Sequence, residues 1–485
     1  MSQAILPRPR WNEDGVALLI GLLLFALALP KLAGIDLLGW AVSTSVWTDL
    51  SHALGTVSRS YAGLEGVFAL GLTYLALLAL LTGAAAALGL PLLRFVLAFT
   101  ALFAIAYGCW VVGSFARLAV VTPADQQKFG LDWSLKLTNE GGFIVALAAG
   151  LVIANFFPRL ADALKEAVRP ELYIKIAIVI LGAFLAVTAA SKLSLASNLL
   201  LRGAAAIIEA YLIYWSVVYF IARKYFGFSR EWAVPLASGI SICGVAAAIA
   251  TGGAIRARPV VPVLVSSLVV VFAVVEVLIL PWAAQRFLSS DPLVAGAWIG
   301  LAIKTDGAAV AAGGITDALV NAKAAAEGLH FQTGWVLATA ATVKVFIDIF
   351  IGIWAFILGT IWTNIINPAP AGQRTRAVEI WQRFPKFILG FIATFAITLA
   401  IALYGPSSLA EKLPPAIGEA NNFRVIFFLL TFFSIGLLSN FRKLWQEGFG
   451  KLVAVYVLSL FGFVIWVGLA ISWVFFHGVL PPMAG

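Results

Sequence analysis

Lys304 and Asp306 stand two residues apart, with Thr305 between them, inside the otherwise apolar run 296–307. A cation at the centre of a spanning helix costs about 2.5–3.5 kcal/mol, so such a residue marks an ion pathway or a paired structural charge. Positions i and i+2 lie on different faces of an intact helix. Either each charge finds a partner on another helix, or the backbone opens here, helped by Gly307. In the functional reading Lys304 and Thr305 hold an anionic substrate and Asp306 tunes or relays a proton. The competing reading is a structural ion pair. Lys344 and Asp348 are spaced i,i+4 and can pair on one face. Alternatively Lys344 turns toward Lys304, making a two-cation anion site. Glu209 and Glu276 are lone carboxylates in apolar runs. Each is a candidate proton carrier or a hydrogen-bonded structural acid.

Backbone supplies the second kind of chemistry. Ser238-Gly239-Ile240-Ser241-Ile242-Cys243-Gly244-Val245 places two glycines in mid-span. Glycine weakens a helix and permits unusual dihedrals. The run predicts two half-helices meeting near 240–244, with Ser241 capping a new helix that begins near Gly244. Irregular backbone at such depth is tolerated only in protein or beside a wet cavity. The N-terminus of the second half-helix favours an anion. The alternative is a small-residue packing face. A fainter echo, Ser434-Ile435-Gly436, lies in the run 429–440. Cys243 reads as a backbone position more than a nucleophile, since a buried apolar thiol is inert.

These residues need a bilayer around them. Of 485 residues, 62% are hydrophobic and 11% charged, with mean hydropathy +1.00. Soluble domains are about half apolar and a quarter charged. The composition excludes a soluble enzyme, a nucleic-acid-binding domain and a disordered chain. Apolar runs predict about thirteen spans. They lie near 15–33, 62–88, 92–121, 141–157, 171–190, 196–222, 231–255, 259–287, 292–316, 333–364, 385–404, 420–440 and 449–476. The runs 36–60, 123–140 and 159–170 read as interfacial segments, and 367–383 as a polar linker. Loop cations including Arg8, Arg10, Arg223, Lys224, Arg374, Arg376, Arg442 and Lys443 favour a cytoplasmic N-terminus. Trp11, Trp40, Trp232, Trp335, Trp362 and Trp445 fall near span ends, as interfacial belts require.

The spans suggest a repeat. Counting five from residue 141 and five from residue 292, the Ser-Ile-Cys-Gly and Ser-Ile-Gly spans are each fourth. An odd count inverts the second block, and paired interrupted spans point to a midplane site. The expected organisation is an N-terminal extension 1–140 with about three spans, a first repeat 141–290 and a second repeat 291–485. Cys109 and Cys243 lie in apolar runs, and His52, His330 and His477 in connecting or terminal segments. Neither a disulfide framework nor a Cys/His metal cluster is expected. No cofactor-binding or phosphate-binding motif and no catalytic constellation appears, so an enzyme is not expected. No paired mid-span acids such as Asp-Asp appear either, which weighs against a cation antiporter.

Gly239-Ile240-Ser241-Ile242-Cys243-Gly244, with Ala250-Thr251 after it, closely resembles the signature of the YeiH-type family of sulfate exporters. So do Gly150 through Pro158, Ile299-Gly300 through Gly313, and Ser434-Ile435-Gly436-Leu437. The matches run in order from about residue 141 to 476. The resemblance implies an all-α polytopic transporter of the bacterial inner membrane, related to the Na⁺/H⁺-antiporter and bile-acid-symporter fold. It implies a panel-like scaffold and a core with two crossing, discontinuous helices. It further implies export of sulfate or a related sulfur oxyanion. Apart from the resemblance, the expected partners are a small inorganic or organosulfur anion and the lipid bilayer, with a homodimer as one assembly the sequence leaves open. Two departures matter, and the first changes the charge facing the ligand. Lys304-Thr305 stands where the family usually has His-Glu, and Lys344 where it tends to have Arg.

The expected function is secondary anion transport by alternating access. Ser241, Cys243, Gly244, Val245, Lys304, Thr305, Lys344, Ser434 and Gly436 would line the substrate site. Asp306, Glu209, Glu276 and Asp348 would couple protons. The alternative is a cation/proton antiporter on the same scaffold.

Overall fold

A computed structural model describes residues 12–120, 123–135, 141–191, 193–258, 260–367, 378, 381, 385–439 and 450–483. Trp11, Trp445, Asn440 and several loop cations used for orientation, among them Arg8, Arg374 and Arg442, lie outside them. The main helices are α1 (Glu13–Ala28), α2 (Gly66–Ala87), α3 (Leu92–Gly113), α4 (Gly141–Phe156), α5 (Pro158–Leu164) and α6 (Pro170–Ser191). Next come α7 (Leu193–Tyr225), α8 (Arg230–Ser241), α9 (Ala246–Ala254), α10 (Val260–Phe287), α11 (Pro292–Ala302) and α12 (Asp306–Ala326). The last are α13 (Trp335–Ile366), α14 (Phe387–Tyr404), α15 (Ser407–Leu438) and α16 (Gly450–Phe476).

Ten of these are long and apolar enough to cross a membrane, or eleven if the bent pair at 156–158 forms one span. The shortfall from the expected count has a physical cause. The stretch from 231 to 255 is divided into α8 and α9, and that from 292 to 316 into α11 and α12. The third is α4, only 16 residues long and turned by 117° into the segment from Pro158 to Ala167. Pro158, at the first position of α5, fits this turn, because the residue before a proline is pushed out of the helical region.

The run 36–60 is not a span, and it adds strands to a fold expected to be all helical. This stretch forms a small antiparallel hairpin, β1 (Val42–Thr44) paired with β2 (Leu54–Thr56), so the fold is helical with one strand pair. The amide of Val42 donates to Thr73 Oγ1 at 2.9 Å, and Asn422 Nδ2 donates to the Val42 carbonyl at 2.9 Å. The hairpin is thus tied to both α2 and α15.

Packing sorts the helices into two sets. α1, α3, α4, α6, α14 and α15 pack on one another around α6, whose apolar residues are almost wholly buried. α8 through α13 and α16 form the other set, in which α11 lies between α13 and α16. The sets meet where α10 and α12 touch α15 and where α12 touches α6. Gly307 illustrates that contact: a Cβ there would lie 2.8 Å from Ile174 Cγ1 on α6. Its smallness serves close approach between helices.

The third interrupted span is corrected. Ser434-Ile435-Gly436 sits inside the continuous helix α15. A Cβ on Gly436 would fall 2.4 Å from the Leu147 carbonyl, and Gly150 faces it with equal closeness. Two glycines let α4 and α15 touch, which is a packing role. The broken spans therefore do not occupy matching fourth positions.

Candidate functional site: two helix breaks that cross

Each break satisfies the other. α8 ends with Ile242 at φ −107° and ψ −83°, and α9 resumes at Ala246. α11 ends at Ala302, Ile303 turns extended, and α12 resumes at Asp306. The backbone amide of Gly244 donates to the Lys304 carbonyl at 2.6 Å, joining the two interruptions. A Cβ on Gly244 would meet Val269 Cγ1 at 2.3 Å and Thr305 Cγ2 at 3.3 Å, so only glycine admits this approach. Backbone groups freed from a helix inside lipid must find partners in the protein, and here they find them in the second break.

Side chains complete the junction. Lys344, from the middle of α13, donates to the Ile242 carbonyl at 2.7 Å. Its ammonium lies 3.5 Å from Asp306 Oδ1 and 3.9 Å from Asp348 Oδ1. The Cys243 thiol donates to Asp306 Oδ1 at 2.8 Å. Thr305 caps α12 by accepting the Ala308 amide at 3.3 Å. Asp306 is the first residue of α12, where a carboxylate favours the positive end of the helix. Lys304, Lys344, Asp306 and Asp348 are all buried.

Lys304 stands apart from that triad. Its ammonium donates to the Leu301 carbonyl and sits 4.5 Å from the centre of the Tyr214 ring. Glu209 opens a π-helical stretch, Glu209–Tyr214, within α7, a distortion frequent at functional sites. Glu276 accepts the Tyr456 hydroxyl at 3.0 Å, while its Oε2 has no hydrogen-bond partner among the described residues. Neither oxygen of Glu209, nor Asp348 Oδ1, has one.

Several expectations change. Ser241 does not cap α9: among the described residues its hydroxyl has no hydrogen-bond partner, and Val245 holds the cap position without a side-chain bond. The Gly244 amide, expected to meet an anion, is occupied by the Lys304 carbonyl. Lys344 is ion-paired with Asp306 and Asp348, whereas Lys304 bonds the Leu301 carbonyl and faces the Tyr214 ring. Among the described residues, no hydrogen bond or ion pair ties Ser434 or Gly436 to this junction. Ser241, Cys243, Gly244, Val245, Lys304, Thr305 and Lys344 are gathered at or beside the breaks.

The sequence argument against paired acids also fails. Asp306 and Asp348 come from different helices, yet ligand atoms of Cys243, Asp306 and Asp348 all lie within 4.8 Å of one another. Three such groups have the donor types to hold a cation, with the Lys344 ammonium between them. Spacing along the chain carried no sign of this meeting, because it depends on how α12 and α13 pack.

Comparison with known proteins places the chain. The family model described as conserved hypothetical protein 698 matches residues 131–455. A UPF0324 membrane protein of Nitrosomonas europaea is 39% identical over 476 residues, covering 97% of both chains. A UPF0324 membrane protein of Rhodopirellula baltica is 31% identical over 422 residues, covering 85% of this chain and 67% of its own. An uncharacterized protein of Archaeoglobus fulgidus is 48% identical over 165 residues, 30% of this chain and 88% of its own. No solved structure matches. The chain, a polytopic helical membrane protein, belongs to the conserved hypothetical protein 698 family, whose members include the UPF0324 membrane proteins.

Proposed function

We propose that this protein is a secondary transporter moving a small oxyanion, of the sulfate or sulfite kind, together with protons. The observation that carries the reading is Lys344, bonded to the backbone of one break and ion-paired with the first residue after the other. Asp306 there plays the part of a resident anion, filling the positive end of α12. An incoming oxyanion needs that carboxylate neutralised or moved. Protonation of Asp306 frees both the helix end and Lys344 for the substrate. An oxyanion entering beside buried carboxyl groups is tolerable only where those groups carry protons. The resemblance to sulfate exporters supports the substrate class.

Alternating access would move the α8–α13 set against the set around α6, with the crossing as the fixed site. Counting each broken span and α4 as one crossing gives about thirteen spans, with the N-terminus in the cytoplasm of a bacterial inner membrane. Two five-span blocks from residues 141 and 292 would then insert in opposite orientations.

A second reading has its own observation. The Cys243, Asp306 and Asp348 cluster suits a cation that takes the place of the Lys344 ammonium, as in cation/proton antiport. Proteoliposomes separate the two. With an imposed pH gradient, labelled sulfate or sulfite should accumulate, and a Na⁺ gradient without oxyanion should move no protons. Na⁺-driven proton flux in the absence of any oxyanion would favour the antiport reading instead.

A further inference from the structure

α7, α11 and α16 meet at Gly468 of α16. A Cβ there would lie 2.7 Å from the Tyr214 hydroxyl, 3.5 Å from Leu301 Cβ and 3.7 Å from Glu209 Oε1. Lys304 stands against two of these neighbours, since its ammonium bonds the Leu301 carbonyl and lies over the Tyr214 ring. Backbone carbonyls of α16 hold the junction together. Trp298 of α11 donates its indole N–H to the Ile465 carbonyl at 2.8 Å, and Tyr214 donates its hydroxyl to that of Val464 at 2.9 Å. Tyr214 ends the π-helical stretch of α7, and Val464 ends another, Leu460–Val464, in α16. Such turns are frequent at functional sites, and here two of them touch.

Glu209 is the group at this junction without a match. It is 1% exposed, and among the described residues neither of its oxygens has a hydrogen-bond partner. The other buried titratable groups of α7, α13 and α16 are engaged elsewhere. Tyr214 bonds Val464, Tyr211 donates to the Ile347 carbonyl at 2.6 Å, and Tyr456 donates to Glu276 at 3.0 Å. Lys344 is paired with Asp306 and Asp348. Lys304 is held by a carbonyl and an aromatic ring, with no carboxylate oxygen within 4.0 Å among the described residues. A charge taken out of water must be paired or neutralised. Two arrangements meet that condition. In one, Glu209 is a neutral acid and Lys304 stays on the Leu301 carbonyl. In the other, Glu209 is a carboxylate and Lys304 has turned onto it.

We propose that Glu209 is a second proton site, which works a switch on Lys304. Loss of its proton to water draws the ammonium from the Leu301 carbonyl to the carboxylate, and the proton's return sends the ammonium back. Lys304 is itself part of the α11–α12 break, and its own carbonyl accepts the Gly244 amide. The switch therefore reaches the crossing through a single residue. For its place in transport the inference rests on the oxyanion and proton reading above, and it adds a proton site to Asp306.

Infrared difference spectroscopy of the reconstituted protein, titrated over pH, reads the proton without any substrate. A protonated-carboxyl band should disappear as pH rises, be missing in Glu209→Gln and persist in Glu276→Gln. In Lys304→Met the band should persist to a pH at least about one unit higher, a tenfold change in proton affinity, because the carboxylate then lacks its cation. Lys304→Arg, which keeps a cation, should move it less. A spectrum unchanged in Glu209→Gln, or a band lost at the same pH in Lys304→Met, overturns the proposal. Transport gives a second arm. With labelled sulfate or sulfite, Glu209→Gln should lower the ratio of protons to oxyanion entering at least twofold. An unaltered ratio overturns the switch as a coupling device and leaves the oxyanion reading standing. Absence of oxyanion flux in the unaltered protein removes that reading, and the infrared titration then decides the proton site by itself.

Discussion

Two segments of this chain carry nearly the same letters, and they take opposite forms. Ser241-Ile242-Cys243-Gly244 breaks its span, whereas Ser434-Ile435-Gly436 stays inside a helix of 32 residues. The difference lies in what each glycine faces. Gly244 meets a second break, whose Lys304 carbonyl accepts its amide, and Lys344 takes the Ile242 carbonyl. Gly436 meets Gly150 on α4, and its value there is the absence of a side chain. Glycine permits a helix to open, but partners for the freed backbone decide whether it does.

The comparison can be broken at its strongest point first. Lys344→Ala leaves Asp306 and Asp348 buried beside one another without their cation. Stability should fall by about 3–5 kcal/mol, the range seen when one partner of a buried pair is removed. Thermal unfolding in detergent reads this, and adding Asp306→Asn should recover part of the loss. An unchanged melting profile in the single variant would mean that Lys344 is not the cation of the junction.

Gly436→Leu and Gly244→Ala sharpen the contrast. Each adds atoms where no room exists, and each should cost about 1–3 kcal/mol by overpacking. Only Gly244→Ala should also reduce flux per folded molecule, by tenfold or more in liposomes. Equal loss of flux in both variants would erase the distinction drawn between packing and site.

Cys243→Ser keeps a donor toward Asp306 and should alter stability by no more than about 1 kcal/mol. Cys243→Ala removes the bond and should lower flux more than the serine does. If alanine and serine behave alike, the thiol is only filler. The smallest effect belongs to the rim of α8. Arg258 bonds Glu231 with Nε at 2.9 Å and Nη2 at 3.2 Å but is exposed. Arg258→Ala should therefore leave flux unchanged and shift stability by under about 1 kcal/mol.

Much of the site was legible because membrane depth makes polar residues conspicuous. Lys304, Asp306, Lys344 and Asp348 stood out against apolar runs, and the breaks at 242–245 and 303–305 lie where glycine and charge interrupt them. What could not be read was meeting in space. The pairing of Asp306 with both Lys344 and Cys243 depends on how α8, α12 and α13 cross. The hairpin at 42–56 was hidden as well, because three-residue strands leave almost no periodic pattern.

The account turns on coupling through Asp306. Labelled sulfate or sulfite uptake and proton uptake should be followed together in the same proteoliposomes, for the unaltered protein and for Asp306→Asn. The account predicts that protons and oxyanion enter together in the first and that Asp306→Asn loses proton coupling. Oxyanion uptake in Asp306→Asn with the same proton coupling as the unaltered protein would contradict it.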